Sequence, residues 1–194
     1  MEPSDVEGVR ELMRLCPEDG LVQVGYELTG SPFSLHTRWL ERRRYVAVER
    51  AFVAGMAFCD YAQVRIGGRV VRGAYLNTVR THPDRRRRGI ARALVEHRES
   101  EARRHFSAEV FWAGVMDGNK PSHSMLRRAG YLQARGCRIK MTVPDRVRAP
   151  EGLRVRPGHR EDHEWVVDDL NREYGHLHLW PVLSAIDYAR GLER

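Results

Sequence analysis

The residues with the most chemical meaning stand together in the run LNTVRTHPDRRRRGIARAL, positions 76–94. A β-type stretch ending at Thr81 passes through His82-Pro83-Asp84 and four arginines, then enters a helical pattern at Ile90. The first amides of a helix lack intrahelical partners and carry about half a positive charge, so they hold phosphate without special side chains. Gly89 lets the backbone approach a ligand closely, Ala91 keeps the first turn narrow, and Arg86, Arg87, Arg88 and Arg92 add long-range attraction. The pattern predicts a phosphate cradle at 86–92. Asn119-Lys120-Pro121-Ser122 is a second candidate: Asn119 can cap the helix that Pro121 opens and still offer its amide to a ligand. Metal chemistry has no basis here. Cys16, Cys59 and Cys137 lie far apart, and His97, His105 and His123 sit on helical segments without ligand spacing.

These residues need a frame. Apolar positions at helical spacing predict a first helix over Asp5–Leu15, followed by a Gly- and Pro-punctuated loop, Gly20–Ser34, and a second helix over Leu35–Arg43. Tyr45–Glu49 and Phe52–Tyr61 read as strands joined by a tight turn at Arg50. Gln63–Ile66 and Arg69–Thr81 read as a hairpin across Gly67-Gly68, where both turn positions need positive φ. A helix over Ile90–Phe106, a short strand over Val110–Val115, a helix over Pro121–Arg128 stopped by Gly130, and strands at Tyr131–Ala134 and Cys137–Val143 complete the unit. Hairpins at both ends and a strand–helix–strand unit between them predict an α/β (α+β) domain: a mixed, mostly antiparallel twisted sheet flanked by helices, with a C-terminal extension.

Arg86-Arg87-Arg88-Gly89-Ile90-Ala91 resembles the Arg/Gln-x-x-Gly-x-Gly/Ala signature of the GNAT superfamily of acyl-CoA-dependent N-acetyltransferases. Asn119…Ser122…Leu126…Gly130-Tyr131 is similar to that family's second motif, and the two together span residues 5–143. The resemblance implies acetyl-CoA as cosubstrate. Its pyrophosphate would lie on Arg86, Arg87, Arg88, Gly89, Ile90, Ala91 and Arg92, its pantetheine arm along Val79, Arg80 and Thr81, with Asn119 and Ser122 contributing. It also implies an amine acceptor, small molecule or peptide, lined by Tyr26, Phe33, His36 and Trp39.

Acyl transfer to an amine poses two proton problems. An alkylamine of pKa ~10.4 must lose a proton before attack, and the departing thiolate, from a thiol of pKa ~8.5, must regain one. The family's usual tyrosine position is Leu126, and its usual carboxylate positions fall on Gly114 and Tyr75. The catalytic assignment stays open, with Tyr75, Asn77 and Ser124 as possible substitutes. The missing groups motivate an alternative, a non-catalytic acyl-CoA-binding or sensor domain.

The bulk numbers limit the rest. The net charge is +7, with a pI near 9.8. Lys120 and Lys140 are the only lysines, so 33 − 2 = 31 of the basic residues are arginine. The arginines are spread along the chain with acidic residues between them, which argues against a nucleic-acid partner. No apolar run approaches the ~20 residues that span a bilayer. The acidic first residues lack an apolar signal core, and with odd, scattered cysteines they predict a cytoplasmic protein. For domains the expectation is a GNAT unit over 1–146 lacking its first strand, a linker at 147–152 within the Pro144–Gly152 stretch, and the start of a second, incomplete unit over 153–194. That second unit opens with a strand at Leu153–Pro157 and a helix over Asp162–Tyr174, and Asp162-His163-Glu164-Trp165-Val166 echoes Asp5-Val6-Glu7-Gly8-Val9. A homodimer or a missing second domain would then be the protein partner.

Overall fold

The computed structural model describes residues 1–17, 41–134, 151–152, 156 and 159–192. The expected loop at 20–34, the proposed acceptor lining Tyr26, Phe33, His36 and Trp39, and the strand at 137–143 lie outside the described residues. So do most of the 144–152 linker and all of the 153–157 strand except Arg156.

A 3-10 turn, Pro3–Asp5, leads into α1, Val6–Leu15. Three strands then form a meander: β1 (Glu41–Glu49), β2 (Phe52–Ile66) and β3 (Arg69–Thr81), each antiparallel to the next. The chain crosses through α2, Ile90–Phe106, to β4, Val110–Trp112, which pairs parallel with β3. α3 (Lys120–Arg128), α4 (His163–Tyr174) and α5 (Ala185–Leu192) follow. The sheet order is β1-β2-β3-β4.

Alternation along β2 divides the core in two. Met56 and Phe58 face α1, where they pack on Val9, Leu12, Met13 and Cys16. Cys59 and Tyr61 face α2, where Leu76, Val95, Ala102 and Ala108 complete the second cluster. The helix burying Leu94, Val95 and Ala102 thus covers the face opposite α1. Gly55 lets α2 sit low on the sheet: a Cβ there would lie 2.7 Å from Ile90 Cγ2 and 3.2 Å from Leu94 Cδ1.

The structure corrects several boundaries. Residues 41–43, expected to end a helix, open β1, because Glu41, Arg42 and Arg43 find register partners in Tyr61, Asp60 and Cys59. The two strands expected at 52–61 and 63–66 are one, since the β3 partner runs continuously beside it. β4 stops at Trp112 rather than Val115, and Tyr131–Ala134 is not a strand. The helix expected from Asp162 begins at His163, behind a 3-10 turn over Arg160–Asp162.

Part of the C-terminal extension lies along the sheet. Leu179 N donates to Arg65 O (2.9 Å), Arg65 N to Trp180 O (3.1 Å) and Val182 N to Gln63 O (2.8 Å). Residues 179–182 therefore run beside the end of β2, on the edge that β1 leaves beyond Glu41↔Tyr61. An edge strand exposes unpaired main-chain groups, and this segment covers some of them.

Candidate functional site

The loop between β3 and α2 is held from three directions. His82 N donates to Ala54 O at 3.0 Å, and its Nδ1 accepts from Asp84 N at 3.3 Å, so the turn after β3 is pinned to β2. Glu49, at the end of β1, takes Arg85 Nε at 2.9 Å and both terminal nitrogens of Arg88 at 3.0 and 3.2 Å. The Arg88 and Arg85 guanidiniums hold the Glu49 carboxyl below its ordinary value. Two left-handed residues then shape the loop, Arg87 at φ 65° and Gly89 at φ 82°. The second suits glycine, since an L residue there is strained by roughly 1–2 kcal/mol.

The consequence is a set of open donors. Arg86 N is used by Pro83 O and Ala93 N by Gly89 O, but among the described residues no main-chain acceptor takes the amides of Arg87, Arg88 or Gly89. The amides of Ile90, Ala91 and Arg92 are a helix's first three and have no intrahelical partner. Gly89 provides no side-chain cap, and the first turn of α2 carries no acidic residue. The side chains of Arg86 and Arg87 are exposed and make no hydrogen bond or ion pair among the described residues, whereas that of Arg92 is tied to Glu96 at 2.6 Å. Six consecutive amides at the positive end of a 17-residue helix are suited to an anion.

β3 leads to this loop through a defect. Met56 pairs with Arg80 and Phe58 with Asn77, so β3 carries one extra residue there, and Thr78 sits at φ 52°. A bulge of this kind re-aims the strand and concentrates near functional sites. On the other side, β4 pairs with β3 only from Gly73↔Val110 to Tyr75↔Trp112. Beyond Tyr75 the strands part, and that edge of β3 from Leu76 to Thr81 has no partner strand among the described residues. An extended ligand arm can occupy such an edge.

Of the residues expected to hold the arm, Val79, Arg80 and Thr81 form this last stretch of β3. The Arg80 side chain turns away, buried, to donate from Nε to Cys16 O at 2.9 Å, so only its backbone faces a ligand. Thr81 Oγ1 is buried without a hydrogen-bond partner among the described residues. Asn119 caps α3, its Oδ1 accepting from Ser122 N at 3.2 Å. Ser124 is exposed on α3, and Leu126 is buried. The structure places Tyr75 and Asn77 on one face of the sheet, where Asp60 of β2 stands opposite Tyr75 in register and accepts from Asn77.

Two polar groups escaped the sequence reading. Asp60 is fully buried and receives Arg42 Nε and Nη2 at 2.6 and 2.7 Å and Asn77 Nδ2 at 2.9 Å. Thr78 Oγ1 donates in turn to Asn77 Oδ1 at 2.9 Å. The bidentate arginine keeps Asp60 an acceptor, so the carboxamide must point its NH2 inward and its oxygen at Thr78. Asn77 is thereby committed to holding the bulge. Arg98 approaches from the α2 face, fully buried, and its Nη1 donates to Phe58 O at 2.6 Å and Asn77 O at 2.9 Å. Both carbonyls belong to the residue pair beside the register slip. Burial pushes the Arg98 guanidinium down to about 10 and the neighbouring Cys59 thiol up to about 12, so that thiol is no nucleophile. The signals were present: Asp60 interrupts an apolar run, and Arg98 lies four residues from both Leu94 and Ala102.

Residues 7–131, more than half of the chain, match the acetyltransferase (GNAT) family model. The chain belongs to that family. No curated protein is recognisably similar to it. Among solved structures it resembles a protein of Agrobacterium tumefaciens provisionally described as an acetyltransferase, at 22% identity and TM-score 0.58, over 73% of this chain and 96% of that one. A transcriptional regulator of Bacillus halodurans is similar at 17% identity and TM-score 0.54, over 74% of this chain and 96% of that one. At such identities the likeness speaks for the fold, which in this GNAT chain is the four-stranded sheet with its parted β3 and β4.

Proposed function

We propose that this GNAT protein binds acetyl-CoA through the amides of residues 87–92 and transfers its acetyl group to an amine of a small molecule or peptide. The observation that carries the reading is the open edge of β3 leading into six unpartnered amides. Arg86 and Arg87 would face the phosphates, while Glu49 keeps Arg85 and Arg88 fixed. The backbone of Val79, Arg80 and Thr81 would pair with the pantetheine arm, and the orphaned Thr81 hydroxyl fits a polar ligand. The capping bond uses the Asn119 oxygen and leaves its NH2 for the arm. Bound acetyl-CoA supplies an acyl group already activated as a thioester. The chain supplies position, which alone is worth ~7–11 kcal/mol in a two-substrate reaction. A tyrosine hydroxyl at residue 126 is absent, so protons leave through solvent or through Tyr75 or Ser124; Asn77 drops out as a candidate because both ends of its amide are engaged. Titration calorimetry of acetyl-CoA into the wild-type chain and Gly89→Glu tests the assignment. The variant strains φ and sets a carboxylate among the phosphate donors, and it is expected to lose measurable binding. Wild-type affinity in Gly89→Glu refutes the cradle.

We propose further that residues 153–194 begin a second unit of the same kind. Two helix starts support this. Glu2 N donates to Asp5 Oδ2 at 2.6 Å ahead of α1, and His159 N donates to Asp162 Oδ2 at 2.7 Å ahead of α4. Each is a 3-10 turn closed by a reciprocal capping box and followed directly by a helix. Limited proteolysis checks the idea: a cut at 147–152 that leaves 1–146 folded is expected, and loss of the fold on that cut contradicts it.

A further inference from the structure

The point where β3 and β4 part is closed by a nested aromatic pair. Tyr75 and Trp112 are the last register pair, and their rings stack at 5.8 Å between centroids and 26° between planes. Two glycines make room for them. A Cβ on Gly73 would lie 2.5 Å from Trp112 Cζ3 and 3.0 Å from Val110 Cγ1, and a Cβ on Gly114 would lie 2.9 Å from the Tyr75 hydroxyl. Any other residue at either position would displace a ring, so Gly73 in β3 and Gly114 just beyond β4 both shape the plate.

Its position relative to the phosphate cradle gives it meaning. From Thr81 back to Tyr75 is six residues of extended chain, ~20 Å at 3.3 Å per residue. An arm anchored at the cradle and laid along that open edge ends where the aromatic plate begins. Resting on the acetyl-CoA reading above, we infer that Tyr75 and Trp112 form the end wall of the acyl pocket and restrict the donor to acetyl-CoA and its shortest homologues. A longer acyl chain would have to displace one of the two half-buried rings, each of which a glycine contact holds in place. Overpacking of this kind lowers affinity by ~10- to 100-fold. Truncating either ring lowers the wall.

The test measures binding to the full chain and needs no acceptor. Acetyl-, butyryl- and octanoyl-CoA are titrated by calorimetry into the wild type, Tyr75→Ala, Tyr75→Phe and Trp112→Leu. The wild type is expected to prefer acetyl-CoA over octanoyl-CoA by at least ~10-fold. Tyr75→Ala is expected to raise the ratio of octanoyl-CoA to acetyl-CoA affinity at least ~10-fold over wild type, and Tyr75→Phe, which keeps the ring, to retain the wild-type ratio. Trp112→Leu opens the wall from the other strand, and its ratio should move as Tyr75→Ala does, so the result stands if one variant folds poorly. An unchanged ratio in both truncations, or a wild type that takes octanoyl-CoA as readily as acetyl-CoA, overturns the wall. Binding of no acyl-CoA by the wild type overturns the cofactor reading itself.

Discussion

Arg98→Met separates what a buried arginine does for stability from what it does for the site. The substitution keeps an unbranched stem of similar length and removes the guanidinium that joins α2 to Phe58 O and Asn77 O. Three charge-assisted bonds are lost, these two and that from Nε to Leu94 O at 3.2 Å, at ~1.5–3 kcal/mol each, so the gross loss is ~4.5–9 kcal/mol. Against this stands the cost of holding the charge in the core. Burial takes the guanidinium down to about 10, a cost of about 3 kcal/mol to the charged form. The group stays charged at neutral pH, so the variant recovers that cost. The difference is a net destabilisation of ~1.5–6 kcal/mol, up to ~20 °C in melting temperature for a chain of this size. The bulge should respond more strongly than the fold. With its carbonyls released, the Thr78 backbone no longer has a clamp from the α2 side, and acetyl-CoA affinity should fall by more than the stability change accounts for. Thermal unfolding by circular dichroism, calorimetry with acetyl-CoA and amide exchange at Thr78–Arg80 read the three effects separately. A loss of more than ~6 kcal/mol would make Arg98 a pillar of the fold. Wild-type affinity together with wild-type exchange at Thr78–Arg80 would remove the clamp altogether.

Two other outcomes follow from the site. Glu49 has its native pKa lowered by Arg88 and Arg85, so its contribution to stability is complete above its unfolded value of 4.5 and is lost as pH falls through the lower native value. Glu49→Gln should therefore lower the melting temperature slightly in the neutral region, where the ion pairs are intact, and converge on the wild type as pH falls below 4.5, so that its acid limb is flatter; an identical limb in both proteins rules out the tie to the loop. Leu126→Tyr places a hydroxyl where the family carries its proton donor, and thiol release measured over a panel of primary amines should rise, within the ~10²–10⁴-fold scope of acid–base assistance. A fall in turnover at unchanged acetyl-CoA affinity would show that the departing thiol needs no donor at this position.

What the sequence disclosed and what it concealed divide along physical lines. Gly67-Gly68 and Gly89 were legible because positive φ has a residue signature, and the structure gives them φ of 56°, 77° and 82°. The 17-residue helix was legible because its apolar side repeats over several turns. β1 was misread at Glu41–Arg43 because charged residues with good helix propensity say nothing about a neighbour 18 residues away, and that neighbour, Asp60, decides the pairing. The bulge at Thr78 was invisible, since threonine has no preference for φ 52° and the conformation is imposed by the mismatch between two strands. The parting of β3 and β4 was equally hidden: Val110–Val115 is apolar enough to continue, and the strand ends at Trp112 for reasons of packing.

The concealed features are linked. The bulge needs one extra residue in β3, and an extra residue leaves main-chain groups out of the ladder in the middle of a sheet, where orphaned polar atoms are costly. Each face of the sheet answers with a charged residue. From the α2 face Arg98 donates to the carbonyls of Phe58 and Asn77, and on the α1 face Arg42 fixes Asp60, which fixes Asn77, which fixes Thr78. Neither charge suits the apolar pattern of its own element, and each makes its strongest bonds to the same two strands, although Arg98 Nη2 has no partner among the described residues. Local rules thus fail at Asp60 and Arg98 for one reason: the strand that leads to the phosphate cradle is held in a conformation that its own sequence does not prefer.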